Sequence, residues 1–349
     1  MKQPECSAIV VSFNVAPHLA RCLRSISVEF KRSDTCGEII VVDNASRDGS
    51  ADLVRAEFPE ALLIEVPHNE GFAAGCRRGF AVAQGEQLLL INPDAELLPG
   101  ALAALLGCLR RHPAAAVAVP MLTDGDARPQ ASLRRFPRLA TLSVESTAVQ
   151  WWWPGCPLLQ GYYEEDRAHT LARVVDWATG ACWLVRRTAL RQVGSLDPRF
   201  FMYFEELDVA IRLHSAGWEV RYTPGAQVIH HGSLSADQNL LARDFYFHQS
   251  KYQFVGKWWG AVAAVALRGF IALTVAGQLG EGALKWLLRG ASGPGSAAGA
   301  ARHSHARRLA ILWPMLTWHV SGKRPIARGH GDPVSVRVRR TSLQQGSQG

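Results

Sequence analysis

Over the first 120 residues, short apolar runs alternate with longer segments of helical period. The runs Ser7–Phe13, Glu38–Asp43, Leu62–Val66, Gln87–Ile91 and Ala116–Val119 predict strands, and the segments near 17–27, 50–57, 72–83 and 99–111 predict helices. Such alternation implies an α/β fold whose central sheet is mostly parallel and flanked by helices. Pro17 is expected near the start of the first helix, where its missing N–H costs nothing. The first strand leads into SFN and not into GxGxxG, which counts against a dinucleotide-binding domain.

The pattern then loosens. Residues 120–170 are irregular, from DGDARPQASLRRFP through the Trp151–Trp153 triplet to YYEEDR. WATGACWLVRR (177–187) reads as a strand, followed by a short helix, the loop GSLDPRFFMYFEELD, a helix through Ala216 and the strand WEVRYTP. This half is expected to form a smaller mixed sheet that completes a site.

From Trp258 the pattern changes again. WWGAVAAVALRGFIALTVAGQLG is long enough to span a bilayer, yet Arg268 sits in its middle, at an insertion cost of about 2.5–3.5 kcal/mol. At a helical period, Lys257, Arg268, Thr274, Gln278, Glu281, Lys285 and Arg289 fall within one arc. That pattern favours a helix lying in the membrane interface over one that crosses it, with packing on the globular body as the competing arrangement. GASGPGSAAGAA (290–301) has the composition of a flexible linker, and 302–349 reads as a basic tail with one short helical segment. The expected organisation is therefore a body over 1–256, a membrane-associated segment over 257–289, a linker over 290–301 and a tail over 302–349.

Charge sharpens this division. The net charge of +8 is carried by the tail: from Lys257 onward there are 13 Lys/Arg and 2 Asp/Glu, leaving 25 basic and 28 acidic residues for 1–256. A mildly acidic body disfavours nucleic-acid binding, and a basic tail suits an anionic membrane surface. The seven cysteines contain no CxxC pair and read as reduced thiols. MKQPECSAIVVSFN runs straight into a short strand without a signal-peptide pattern, so an unexported, cytoplasmic protein is expected.

Two of the apolar runs stop abruptly at a carboxylate: EIIVVD at Asp43, and QLLLINPD at Asp94. A strand that ends this way puts its carboxylate at the carboxyl edge of the sheet, where open α/β sheets bind ligands. The plainer alternative is that each Asp opens a turn or caps a helix, for which DNASRDGS is well suited. Glu206 and Asp208 open a later helix, and His230-His231 end the apolar run AQVI. Asp94 with a neutral imidazole is sound coordination chemistry for a divalent ion, with substrate phosphate supplying further oxygens.

VVSFN (10–14), VVDNASRDGS (41–50), NEGFAAG (69–75), LLLINPD (88–94), WATGACWLVRR (177–187), FFMYFEELDVAIRLHSAGW (200–218) and VIHHGSLS (228–235) occur in that order. Together they resemble the family 2 inverting glycosyltransferases of the GT-A fold, especially the bacterial rhamnosyltransferase-like branch, over residues 6–256. The resemblance implies that Asp43 holds the base or ribose of a nucleotide sugar, with Ser12, Asn14, Asn44, Asn69, Gly71 and Asn92 lining the same site. It implies that Asp94, the last carboxylate of a DxD-type motif whose first position is here Asn92, binds Mg²⁺ or Mn²⁺ together with His230.

Glu206 matches the family's catalytic carboxylate, usually Asp, and would deprotonate the acceptor hydroxyl; Asp208 and Glu205 are its rivals for that role. Trp177, Gly180 and Ala181 would line the acceptor site, with core packing the alternative for Trp177. Cys76 and Arg77 depart from the family pattern, which commonly has Asn there. The implied reaction moves a sugar, rhamnose from dTDP-rhamnose in the first instance, onto a hydroxyl of a lipid-linked saccharide at the inner face of the cell membrane, in cell-envelope polysaccharide synthesis. A UDP- or GDP-sugar donor or a polyprenyl-phosphate acceptor is the alternative within the class. A non-catalytic, membrane-associated sugar-nucleotide-binding protein is the alternative outside it.

Overall fold

The computed structural model of the protein describes residues 3–164, 170–232, 239–288, 310–324 and 337–339. The linker expected over 290–301, most of the basic tail and the end of the VIHHGSLS motif (233–235) lie outside the described residues. The chain divides into two compact units: one takes Met1–Phe136, Tyr163–Ser235 and Gly329–Gly349, the other Pro137–Tyr162 and Ala236–Arg328. The boundary at 235 falls earlier than the one read at 256.

In the first unit, β1 (Cys6–Ser12), β2 (Gly37–Asp43), β3 (Leu62–Glu65) and β4 (Gln87–Ile91) are parallel neighbours in the order β3-β2-β1-β4. All seven β1 residues are buried, as expected for a strand covered on both faces. Helices α1 (Ala16–Arg32), α2 (Ser50–Glu57), α3 (Phe72–Val82) and α4 (Ala101–Arg111) fall where the periodicity predicts them. Helix α3 lies unusually close to β1. A Cβ on Gly75 would come within 2.7 Å of Val11, and one on Gly79 within 2.5 Å of Ile9. The i,i+4 glycines of GFAAGCRRG are thus a packing groove, and Cys76 between them is buried.

Beyond β4 the sheet becomes mixed. After β5 (Ala95–Leu97), β6 (Ala115–Thr123) and the two-residue β7 (Leu133–Arg134) come β8 (Arg173–Val175), β9 (Trp177–Ala178), β10 (Cys182–Arg186) and β11 (Glu219–His230). The order continues β4-β10-β6-β11-β5, with β8 also on β11, β12 (Arg337–Arg339) on β3, and β7-β9 a separate ribbon. Two expectations change in detail. WATGACWLVRR is two strands broken at Thr179–Ala181, where the turn is fixed by the Trp183 indole N–H donating to Thr179 O at 3.1 Å. WEVRYTP and AQVIH are one strand with a register shift between Thr223 and Gln227. Pro224 has no N–H to give the ladder, and a bulge absorbs the loss.

The second unit carries the short helices α5 (Leu139–Val144) and α6 (Ala148–Trp152). Helix α7 (Pro157–Tyr163) follows at the unit boundary, and α8 (Arg187–Val193) and α9 (Glu205–Ser215) belong to the first unit. The second unit then continues with α10 (Leu240–Trp259), α11 (Ala261–Leu288) and a helix over 310–321. The polar arc read along α11 does not face outward as a whole. Thr274 is buried, and the Arg268 guanidinium donates to the carbonyls of Trp318 and His319. The outward positions from 261 to 280 are apolar or small: Val262 is 85%, Val265 71% and Leu273 73% exposed.

Candidate functional site

The parallel register sets Ser12 beside Asp43, and Asp43 beside Glu65, at the carboxyl edge of the sheet. Asp43 is buried; its Oδ2 accepts the Ser46 N–H at 3.0 Å, and Oδ1 has no hydrogen-bond partner among the described residues. Burial raises the pKa of its carboxyl, against the opposing pull of the Ser46 hydrogen bonds. Ser12 Oγ is also buried and has no hydrogen-bond partner among the described residues. Two adjacent orphan oxygens at a strand edge are expensive unless a ligand meets them.

A lattice of hydrogen bonds frames this pocket. Asn44 N donates to Ser12 O at 2.8 Å. The Asn44 side chain donates to Gly71 O at 3.1 Å, while Asn69 Oδ1 accepts the Gly71 N–H at 2.9 Å. Asn14 adopts φ 54°, and its Oδ1 accepts the Arg47 N–H at 2.7 Å. Gly71 cannot be another residue: φ is 89° and a Cβ would sit 2.2 Å from Phe201 O. Phe72 N then donates to that same oxygen at 2.7 Å, so the NEGF loop is pinned to the segment that precedes α9. Arg78 forms a two-bond fork with Glu70 at 2.6 and 2.7 Å, whereas Arg77 is exposed.

That segment is strained. Tyr203 and Phe204 have φ of 69° and 68° in succession, at an order-of-magnitude cost of about 1–3 kcal/mol each. The turn throws Glu205 and Glu206 into the first turn of α9, where the dipole favours negative charge. The three acidic candidates on this helix differ sharply. Asp208 is fully buried and bonded to Arg212 at 3.0 Å. Glu205 is buried beside Cys76, and burial with the neighbouring Glu206 charge pushes its pKa well up. Glu206 is half-buried; its Oε1 accepts the Gly180 N–H at 3.4 Å, and Oε2 has no hydrogen-bond partner among the described residues. Burial raises its pKa too, opposed by the Gly180 bond and the Arg134 charge.

The turn between β9 and β10 connects this helix to Asn92, because Asn92 N donates to Ala181 O at 2.9 Å. Trp177 is buried, and its indole N–H is given to Arg135 O at 3.0 Å. Two residues beyond Asn92, Asp94 is buried and its carbonyl accepts the His231 N–H at 2.9 Å. His230 Nε2 lies 3.7 Å from Asp94 Oδ1 and makes no hydrogen bond among the described residues. Burial lowers the His230 pKa, so its ring is neutral near pH 7. An unpartnered imidazole nitrogen facing a carboxylate oxygen fits a divalent cation. No group of three or more Asp, Glu, His or Cys that could hold a metal ion occurs among the described residues, so substrate oxygens would have to complete the shell.

Ser12, Asn14, Asp43, Asn44, Asn69 and Gly71 are therefore linked by register and hydrogen bonds, as are Asn92, Ala181, Gly180 and Glu206, while Asp94 and His230 face each other at 3.7 Å. Sequence reasoning missed Arg134 and Gln130, in an irregular segment with no periodic or motif signal, and Phe201, which lies within the motif of 200–218 but acts through its backbone oxygen.

A family model described as Glycosyl transferase family 2 matches residues 7–194. N-acetylglucosaminyl-diphospho-decaprenol L-rhamnosyltransferase of Mycobacterium tuberculosis is 32% identical over 280 residues, covering 76% of this chain and 90% of its own. Rhamnosyltransferase WbbL of Escherichia coli is 31% identical over 85 residues, or 24% of this chain and 32% of that one. Among solved structures, GalNAc-T7 with UDP, GalNAc and Mn²⁺ superposes with a TM-score of 0.50 at 14% identity, covering 65% of this chain and 43% of that one. That likeness is one of fold, the GT-A arrangement of a mostly parallel sheet flanked by helices. With more than half of its length matched by the family model, the chain belongs to glycosyl transferase family 2 and is a glycosyltransferase.

Proposed function

We propose that the protein transfers L-rhamnose, with inversion, from a nucleoside-diphosphate donor (first dTDP-rhamnose) to a hydroxyl of a lipid-linked saccharide that carries a diphosphate. The single observation behind the mechanism is that Asp43 and His230 end strands at one edge of one sheet, that Glu206 at the start of α9 is tied to the Gly180 turn at that edge, and that each carries a polar atom without a hydrogen bond among the described residues. The identity of the M. tuberculosis relative supports the choice of sugar and acceptor.

Asp43 Oδ1 and Ser12 Oγ would accept or share hydrogen bonds with the base and ribose. Asp94 and the bare Nε2 of His230 would hold Mg²⁺ or Mn²⁺, which supplies positive charge opposite the diphosphate. Glu206 Oε2 removes the proton of the acceptor hydroxyl while that oxygen attacks the anomeric carbon. The new C–O bond forms as the bond to phosphate breaks, and the nucleoside diphosphate leaves on the opposite face. Gly180 holds the other carboxylate oxygen in place. Asp208 is committed to Arg212 and Glu205 is shut away beside Cys76, which leaves Glu206 as the base.

The enzyme would work at the inner face of the cell membrane. Support comes from the second unit, where Ala261–Lys285 of α11 is long and apolar enough to cross a membrane and leaves Val262, Val265 and Leu273 exposed. An outward apolar face with Arg268 turned inward favours a helix lying in the interface over one that crosses the bilayer. The test is transfer from a panel of nucleotide sugars to a diphosphate-linked GlcNAc lipid, with and without Mn²⁺. Glu206→Gln should lower kcat by about 10²–10⁴-fold with donor affinity retained, and Asp94→Ala should abolish the metal requirement along with most activity. Donor binding without turnover, unchanged by Glu206→Gln, would overturn the reading in favour of a non-catalytic binding protein.

A further inference from the structure

Two adjacent histidines, His230 and His231, stand where β11 ends, yet of the two His230 alone offers a bare nitrogen. His231 Nε2 lies 2.7 Å from Glu96 Oε1, and Arg21 reaches the same oxygen at 3.1 Å. His231 is therefore engaged in a surface network. The contrast between adjacent histidines needs a physical cause, and a residue outside every sequence motif provides it.

Strand β6 ends at Thr123, whose parallel register sets it against Ile229 of β11, one residue before His230. The chain then turns back tightly. Asp124 Oδ1 accepts the N–H groups of Asp126 and Arg128, both at 2.9 Å, and Gln130 N donates to Leu122 O at 2.8 Å. This hairpin delivers the Gln130 side chain to His230 from the sheet. Its Nε2 lies 2.7 Å from the His230 backbone oxygen, and its Oε1 lies 3.1 Å from His230 Nδ1.

The protonation pattern follows without a choice. A backbone carbonyl can only accept, so the Gln130 nitrogen must be the end that faces it. The other end is then an oxygen, which can only accept from Nδ1–H. A neutral imidazole carries one proton, and with that proton on Nδ1 the Nε2 lone pair is free. Nε2 is the atom that faces Asp94.

We propose that Gln130 is a positioning residue that, by gripping the His230 backbone oxygen and its Nδ1–H together, fixes the tautomer presenting a bare Nε2 beside Asp94 for a divalent cation. The proposal rests on the metal reading above. Metal-bound histidines commonly donate their second nitrogen in this way, and loss of such a partner lowers metal affinity by about 10–100-fold.

The test compares the full-length wild type with Gln130→Met, Gln130→Ala, His230→Ala and His230→Ala combined with Gln130→Met. The first readout is the ¹⁵N signature of the His230 ring in metal-free protein at pH 8, assigned by its loss in His230→Ala. Wild type should show protonated Nδ1 and bare Nε2, and both Gln130 variants should show the Nε2–H form populated. The second is Mn²⁺ affinity by electron paramagnetic resonance, with and without dTDP. Gln130→Met should weaken Mn²⁺ about 10–100-fold and add nothing in the His230→Ala background. An unchanged tautomer, or a Gln130→Met penalty that persists without His230, overturns the proposal. Should Mn²⁺ bind no variant, the metal reading fails by itself, and the ring signature still decides whether Gln130 sets the tautomer.

Discussion

In the first unit, unpartnered polar atoms (Ser12 Oγ, Asp43 Oδ1, Glu206 Oε2, His230 Nε2) gather where strands end and α9 begins. Around the long helices of the second unit the buried cations are tied down, although Glu145 Oε2, His248 Nδ1, Gln253 Oε1 and His319 Nε2 are buried without a hydrogen-bond partner among the described residues. There Lys251 is fully buried, donating to Leu142 O at 3.1 Å and Glu145 O at 2.7 Å, and Arg268 is tied to two carbonyls. Apolar side chains face outward instead: of the fifteen exposed large hydrophobics among the described residues, twelve belong to the second unit, Trp152, Trp153, Val262, Leu273 and Trp313 among them. Scattered exposed hydrophobics are ordinary on a soluble surface, but this concentration on one unit marks an interaction face. The difference separates an edge built to meet a polar ligand from a surface built to leave water.

The comparison breaks most directly at α11. Each large aliphatic side chain withdrawn from water contributes about 1.5–3 kcal/mol when fully buried. Replacing Val262, Val265 and Leu273 together with Glu should therefore weaken binding to zwitterionic vesicles by on the order of 10²-fold or more. Zwitterionic lipid removes the attraction of the basic tail and isolates the apolar contribution. Cosedimentation measures it, and transfer to a water-soluble short-chain acceptor should stay near wild type. Undiminished vesicle binding would mean that this face meets something other than lipid.

The sequence made the two units unequally legible. Strands β1 to β4 are short, buried on both faces and bounded by turn residues, so apolar runs alone located them within a residue or two. The strand-end carboxylates followed from the same pattern, since a run that stops at Asp43 or Asp94 must place it at the edge. The tie between Gly71 and Phe201 was not legible: it joins residues far apart in sequence through a backbone oxygen, and no side-chain pattern encodes it. Gln130 was invisible for a related reason, being one polar residue in an irregular stretch until the β6–β11 register brings it to His230. On α11, periodicity found the polar arc, but the carbonyls of Trp318 and His319 decide that Arg268 points inward. A helical wheel cannot see a partner fifty residues away.

A smaller effect tests the interior of the second unit. Arg268→Met keeps the bulk and takes the guanidinium donor from the His319 carbonyl, while the Trp318 carbonyl keeps the Gly322 N–H, for a loss of about 1–3 kcal/mol. The half-exposed Lys285–Glu281 pair on the same helix is the control; Lys285→Met should change stability by about 0.5 kcal/mol or less. Denaturant unfolding of the full chain reads both. Equal effects would show that Arg268 is a surface charge like any other.

The smallest effect is one of pH, and it probes the first unit. Burial and the Glu206 charge raise the folded-state pKa of Glu205 well above its ordinary value of 4.5. The folded protein therefore keeps a proton that the unfolded chain releases, and ∂ΔG/∂pH is negative between the two pKa values. The associated stability is present below about pH 4.5 and declines as pH rises from there toward the raised pKa. Glu205→Gln cannot ionise, so it escapes that decline. The melting temperature of the variant relative to wild type should rise steadily from pH 5 to pH 8. A difference that does not change across that range would show that Glu205 ionises freely despite its burial, and would return it to contention with Glu206 as the base.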